Sequence, residues 1–133
     1  MKLSDYCTIE RDGSAWIDID TGWKFHCTLH GMEAEYAKLF IRRLSKKRRL
    51  DDEDDLLEAE VTVPDMETQR LIVEAVKTAF EMWMGIGALR EEYDQLRQLT
   101  GEAYYDETQK YMSNMLGEMH DYRYMLIDQL MGI

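Results

Sequence analysis

The first thirty residues alternate between apolar and polar positions with a period of two, which predicts strands. Cys7, Ile9, Ala15, Ile17, Ile19, Trp23, Phe25, Cys27 and Leu29 share one face if two three-residue hairpin loops are drawn, Arg11-Asp12-Gly13 and Asp20-Thr21-Gly22. Each loop ends in the glycine that a bulged turn places in the left-handed region. Two-residue loops would move Ile17 and Ile19 to the opposite face, and register follows the buried face. The expected element is a three-stranded antiparallel meander in which Glu10 pairs with Ser14 and Ile19 with Trp23.

The period changes after Gly31. Ala37, Phe40, Ile41 and Leu44 recur at helical spacing within 33–50, with acids at the start and bases toward the end, the order the helix dipole favours. The run Asp51–Asp55 reads as an acidic loop. Leu57, Ala59, Val61 and Val63 then alternate with Glu58, Glu60 and Thr62, a half-buried strand stopped by Pro64. Asp65 is positioned as an N-cap. From Met66 to Leu99 a single helical pattern carries Ile72, Ala79, Ile86 and Tyr93 at seven-residue intervals, interleaved with Ala75, Met82, Leu89 and Leu96. Unbroken, that helix is about 50 Å long. Gly85 and Gly87 mark where it would bend or pack closely. Thr100-Gly101 closes it, and Glu102–Met131 forms a second helix with a Met- and Leu-rich stripe. Two long helices joined by a short turn pack antiparallel.

The order is therefore β-β-β-α-β-α-α. The fold class is α+β: a three-stranded antiparallel meander plus one later strand, an amphipathic basic helix, and a long C-terminal antiparallel helical hairpin. Residues 1–133 form one domain, with sheet and basic helix in 1–64 and an acidic helical hairpin in 65–133.

Composition supports a cored domain: 133 residues, 45% apolar and 32% charged, with a single proline. No stretch reaches the roughly 18 apolar residues of a membrane span, and the N-terminus lacks a signal-peptide apolar core. The formal net charge of −11 conceals an uneven layout. Residues 1–50 hold ten Lys/Arg and seven Asp/Glu, whereas 51–133 hold six and twenty. Surfaces of opposite sign point to different partners or to mutual neutralisation.

Candidate chemistry is sparse. No nucleophile elbow, phosphate loop or zinc-protease motif is present, and Gly85-Ile86-Gly87 lies within a helical pattern with no strand before it. Cys7 and Cys27, on the outer strands of a meander, would stand about 9–10 Å apart, too far for a disulfide. Two buried free thiols fit a reducing compartment, so a cytoplasmic location is expected. Cys7, His26, Cys27 and His30 are metal-ligand types, but alternation sends Cys27 inward and both histidines outward, so no metal and no cofactor is expected. His120 reads as an exposed or interface histidine. Trp16, Asp18 and His26, beside Tyr6 and Lys24, share the outward sheet face. That face is a candidate ligand site, with coverage by the long helices or by a partner as the simpler expectation.

Lys38, Arg42, Arg43, Lys46, Lys47, Arg48 and Arg49 crowd twelve positions and are candidate phosphate contacts. The adjacent Asp51–Asp55 run is an alternative partner that would mask them. The hairpin is the larger feature. Met82, Ile86, Leu89, Tyr93, Met112, Met115 and Met119 are candidate dimerisation residues, because two amphipathic helices leave apolar surface beyond what a small sheet covers. Tyr104, Tyr105, Asp106, Glu107, Tyr111, Glu118, Asp121, Tyr122 and Tyr124 form a candidate partner-binding surface of acids and amphipathic aromatics, and Met-rich stripes add adaptability. Small acidic chains of this style resemble, in general character, the accessory and inhibitor proteins of bacteriophages and mobile elements. The expected function is that of a non-enzymatic, homodimeric regulator or inhibitor that binds a protein partner through the acidic helices as a nucleic-acid mimic. The alternatives are a nucleic-acid-binding regulator using helix 38–49, and an assembly chaperone or scaffold.

Overall fold

A computed structural model describes residues 1–19, 24–50, 52–100 and 105–133, with side chains for all of these except 18, 93, 96–100 and 105–109. Strands β1 (Cys7–Ile9), β2 (Ala15–Asp18) and β3 (Lys24–Leu29) form an antiparallel sheet. Helices α1 (Ala34–Arg48), α2 (Glu53–Leu57), α3 (Met66–Thr100) and α4 (Tyr105–Met131) follow. The fold is α+β, as the two periodicities indicate.

The division of sheet faces follows the alternation. Ala15 stands opposite Cys27 and Ile17 opposite Phe25 on the buried face, while Trp16 stands opposite His26 on the other. The strand order, however, is β1-β3-β2 and not that of a meander. β3 is central, with Cys7 opposite Leu29 and Ile9 opposite Cys27 on one edge, and Ala15–Asp18 along the other. The predicted Glu10–Ser14 pairing does not form; the Glu10 amide donates to the His26 carbonyl at 3.0 Å. The predicted pairing of Ile19 with Trp23 falls outside the described residues. β1 and β2 are successive stretches of one extended path that crosses β3 at the level of Cys27. The crossing is tight. A Cβ on Gly13 would lie 2.5 Å from the carbonyl carbon and oxygen of Cys27 and 2.7 Å from its nitrogen. The glycine is required by a backbone-to-backbone approach, not by a hairpin bulge.

This order also corrects the cysteine geometry. Cys7 and Cys27 lie on adjacent strands as diagonal neighbours, both buried. Burial pushes both thiols well above the usual cysteine range. Both are free, and a diagonal pair has Cα atoms about 7–8 Å apart, past the usual disulfide span.

α1 packs against β2 through an apolar stripe that includes Tyr36, Phe40, Ile41 and Leu44, all buried. It ends in a Schellman-type turn: Arg49 is left-handed (φ 53°), and the Leu50 amide donates to the Ser45 carbonyl at 2.9 Å. The acidic run is not a loop. The Asp52 carboxylate accepts from the Asp54 amide at 2.9 Å, and Glu53, Asp54 and Asp55 fill the first turn of α2, where the dipole favours acids. The predicted strand over 57–63 is also replaced. Leu57 closes α2, and the segment beyond it makes a single bridge, Lys2 to Glu60. Val61 is buried while Glu60 and Thr62 are exposed, so the alternation reported burial without a ladder.

Asp65 caps α3 as expected, its carboxylate accepting from the Thr68 amide at 2.8 Å. That hydrogen bonding holds Asp65 below the usual carboxylate range. One turn later Gln69 is fully buried and uses its whole amide. Its nitrogen donates to the carbonyls of Gly31 (2.9 Å) and Pro64 (2.8 Å), and its oxygen accepts from the Glu33 amide at 2.7 Å. It fastens the β3–α1 turn, where Gly31 has φ 70°, to the start of α3.

α3 runs unbroken through Gly85 and Gly87, and a Cβ at either position would meet nothing within 4 Å. The helix does not break there, and neither glycine is closely packed against the described residues. Each glycine therefore costs helix stability with no packing return. Gly85→Ala is expected to raise stability by about 0.5–1 kcal/mol, read as a higher urea midpoint; a lower midpoint would reveal a constraint at that position.

The chain divides into two compact units, one comprising Met1–Glu74 with Ile127–Ile133 and the other Ala75–Leu126.

Candidate functional site

Within the second unit, α3 and α4 are joined by an aromatic cluster that fixes their register. The Arg123 guanidinium lies 5.1 Å from the Phe80 ring centre, 5.0 Å from Trp83 and 4.8 Å from Tyr124. The His120 ring sits 6.0 Å from Trp83 and 5.1 Å from Tyr124. Its Nδ1 is 3.6 Å from the Asp121 carboxylate. His120 is thus one wall of an aromatic cluster, and Tyr124 belongs to that cluster and not to the same stripe as Tyr122.

Residues advance about 100° per step around a helix, and in an antiparallel pair the same rotational sense leads to the same side. Phe80, His120 and Tyr124 fall on one flank of the pair. Met82 and Leu89 of α3, with Tyr111 and Tyr122 of α4, fall on the other, while Glu118 and Met125 lie on the back of α4, turned away from α3. That second flank is open: Met82 is 57% exposed, Leu89 53%, Tyr111 66% and Tyr122 54%.

The seven-residue pattern of α3 explains the result. Ile72 and Ala79 are buried and Ile86 half-buried, whereas the interleaved row Ala75, Met82 and Leu89 is exposed. One row of a heptad seam is used inside the chain and the other is left over. Of the candidate dimerisation residues, the structure therefore places Met82 and Leu89 in solvent. Ile86, Met115 and Met119 are half-buried. Met112 is corrected: it is 5% exposed and serves the interior. The side chain of Tyr93 lies outside the description. Of the partner-binding candidates, Tyr111, Glu118, Asp121 and Tyr122 are exposed. Tyr104 lies outside the described residues, as do the side chains of Tyr105, Asp106 and Glu107.

The charge pattern sharpens against these units. Residues 75–126 carry nine acids and five bases, whereas residues 51–64 carry seven acids and no base. The densest negative charge therefore belongs to the segment around α2 and not to the α3–α4 pair.

The basic cluster of α1 is sorted by its partners. Arg43 grips Asp128 with two hydrogen bonds, at 2.6 and 3.0 Å, and Lys47 adds a third at 2.8 Å. Arg48 donates to the Glu60 carbonyl at 2.8 Å. Lys38 pairs with Glu35 at 3.3 Å within the helix, and every member of the cluster except Arg43 is exposed. Sequence reasoning missed Asp128, an isolated acid far from α1 along the chain. Its side chain is 12% exposed, and the hydrogen bonds from Arg43, aided by Lys47, hold its carboxyl down at about 2.

The sign of the resulting pH dependence follows. The native carboxyl stays ionised where the unfolded chain has already taken up a proton. The stabilisation is complete above about pH 4 and is lost as pH falls toward 2, and its size is about 2 kcal/mol. Asp128→Asn is expected to lower the urea midpoint at pH 7 and to flatten its decline between pH 4 and 2. An equally steep decline in the variant would remove Asp128 as its source.

On the outward sheet face Trp16 is 48% exposed and meets His26 at 5.4 Å, with the Lys24 ammonium 4.5 Å from its ring centre. Asp18 pairs in register with Lys24. Trp16, Lys24 and His26 are all exposed on this face. A cleft of about 160 Å³ lies elsewhere, bordered by Phe40, Arg48, Val61 and Met131, and His26 does not line it; the side chain of Asp18 lies outside the described ones. Among the described residues, no group of three or more His, Cys, Asp or Glu is placed to hold a metal, and no helix is long and apolar enough to cross a membrane. His30 instead meets the Thr8 hydroxyl at 3.2 Å.

No protein family, curated protein or solved structure matches this chain.

Proposed function

We propose that the protein acts by binding, not by catalysis, and that the open α3–α4 flank is its docking surface. The observation that carries this reading is the exposed heptad row Ala75, Met82 and Leu89, which helical geometry puts on the same flank as the exposed Tyr111 and Tyr122. Large apolar side chains exposed in a row on one flank are the kind of surface that marks an interaction site. Met and Tyr are the residue types that make adaptable contacts with one apolar side and one polar end.

A second copy of the chain is the occupant this geometry fits first. Two antiparallel helix pairs placed flank to flank complete a four-helix arrangement, and a two-fold axis lets one strip cover itself. The dimer then serves as a regulator that addresses a basic protein partner through its acidic surface, to which Glu118, Asp121 and the 51–64 segment contribute. Net negative charge steers such a partner and raises its rate of encounter.

The test is a paired substitution, Met82→Glu with Leu89→Glu. Both side chains are exposed within the chain, so circular dichroism is expected to show an unchanged helix content. Light scattering is expected to show the mass falling from two chains to one. A variant that retains the two-chain mass rejects this flank as the interface.

A further inference from the structure

Arg123 is held in place by groups that leave its hydrogen-bonding capacity unused. The rings of Phe80, Trp83 and Tyr124 stand 4.8 to 5.1 Å from its guanidinium. Contacts of this kind draw on the charge and the flat face of the group, while its N–H donors point outward in its plane. Among the described residues those donors make no hydrogen bond and no ion pair. The side chain is half-buried, yet its nitrogens reach solvent. Acids are not lacking, since the chain has 27 of them. The neighbouring carboxylate, Asp121, lies instead 3.6 Å from Nδ1 of His120. A planar fork of donors matches the oxygens of a carboxylate or a phosphate, and three rings fix this fork before any anion arrives.

His120 decides between those two anions. It stands three residues before Arg123 on α4, a spacing that starts the two side chains about 5–6 Å apart. Its ring also meets Trp83 and Tyr124. With Nδ1 turned toward Asp121, Nε2 is the nitrogen left for a ligand. A carboxylate has both oxygens taken by the arginine fork. A phosphate keeps a further oxygen and shares one proton with Nε2: an imidazolium donates to the dianion, or the hydroxyl of the monoanion donates to the neutral ring. Phe80 is 41% exposed beside the guanidinium and offers an apolar wall to whatever carries the phosphate.

We propose that Arg123 and His120 bind a phosphate monoester, with Phe80 against the apolar or aromatic group that bears it. The net charge of −11 opposes any anion at long range, so recognition depends on the fork and the rings at contact distance.

The probes are phenyl phosphate, inorganic phosphate and benzoate, each titrated calorimetrically into the full chain, with the His120 ring protons followed by NMR. Phenyl phosphate is expected to bind saturably, with a dissociation constant on the order of 1 mM, and to shift the His120 resonances. Inorganic phosphate is expected to bind more weakly, and benzoate more weakly still. Arg123→Lys keeps a cation against the rings but loses the fork, so the cluster stays folded while affinity falls about tenfold. Arg90→Ala, in the same helix pair, leaves the affinity unchanged. No saturable binding of phenyl phosphate, or parent-like affinity in Arg123→Lys, overturns the proposal. So does an equal loss from Arg90→Ala. Benzoate bound as tightly as phenyl phosphate overturns the choice of phosphate, and inorganic phosphate bound as tightly overturns the choice of an ester. The site shares no residue with the Met82 and Leu89 flank, so the oligomeric state does not decide this measurement.

Discussion

Replacing Gln69 by Leu is expected to destabilise the protein by about 3 kcal/mol or more, a large share of the stability of a domain this size. Leucine matches the volume and suits a helix, so a simple reading of the α3 stripe would predict a gain. Gln69 stands three and four residues before Ile72 and Val73, both buried, at a position where an apolar residue would continue the stripe. Its amide, however, satisfies the Glu33 amide and the carbonyls of Gly31 and Pro64. Leucine would leave three part-buried backbone groups without that partner, each costing on the order of 1 kcal/mol or more. Chemical denaturation measures the difference directly. A Gln69→Leu protein as stable as the parent would show that water reaches these groups. Gln69→Glu separates the contributions: it keeps an acceptor for Glu33 but loses the donor to Gly31 and Pro64, so it too is expected to be destabilised.

Gly13→Ala is expected to cost about 2–4 kcal/mol, in the range of severe single substitutions. The reason is steric and local. The new Cβ would stand 2.5 Å from two backbone atoms of Cys27, and backbone cannot swing aside as a flexible side-chain tip can. The crossing from β1 to β2 would have to lift from β3, loosening the pairing of Ile9 and Ala15 with Cys27 on its two edges. Amide hydrogen exchange is expected to show faster exchange in β1 and β2 than in α1. Thermal denaturation within about 0.5 kcal/mol of the parent would mean that the crossing has room to move. The contrast with Gly85→Ala is part of the expectation: one glycine is held against backbone, the other faces open space.

These two residues also show where the sequence is legible and where it is not. Alternation reports which face a side chain takes, and Cys7, Ile17, Phe25 and Cys27 are buried as that pattern requires. It does not report which strand lies beside which. Arg11-Asp12-Gly13 carries the composition of a hairpin loop, yet the same glycine serves a crossing, because both tasks need a residue without a Cβ. Helix periodicity was enough to place α1, α3 and α4, and a capping residue before an apolar run was enough to identify Asp65. The acidic run misled because high charge suggests solvent, while its first member, Asp52, is also a good N-cap.

For the candidate surfaces, sequence spacing named the heptad rows of α3 but not which one the chain itself would use. That choice depends on α4, whose Met112 turns inward while Met125 remains outside. The α1 cations were visible as a cluster. Their partner Asp128 was not, because it meets Arg43 and Lys47 only after the chain has folded back from 128 to 43. Gln69 carried a readable signal, a lone amide on an apolar stripe, whose partners lie at 31, 33 and 64 and cannot be named before the fold is known.

Coverage of the open α3–α4 flank by a second copy makes the oligomeric state the decisive property of this protein. Sedimentation equilibrium of the full chain over a hundredfold concentration range tests this directly. The expected result is a mass of two chains, giving way to one chain only at the dilute end. A mass of one chain, 15.8 kDa, across the whole range would contradict it.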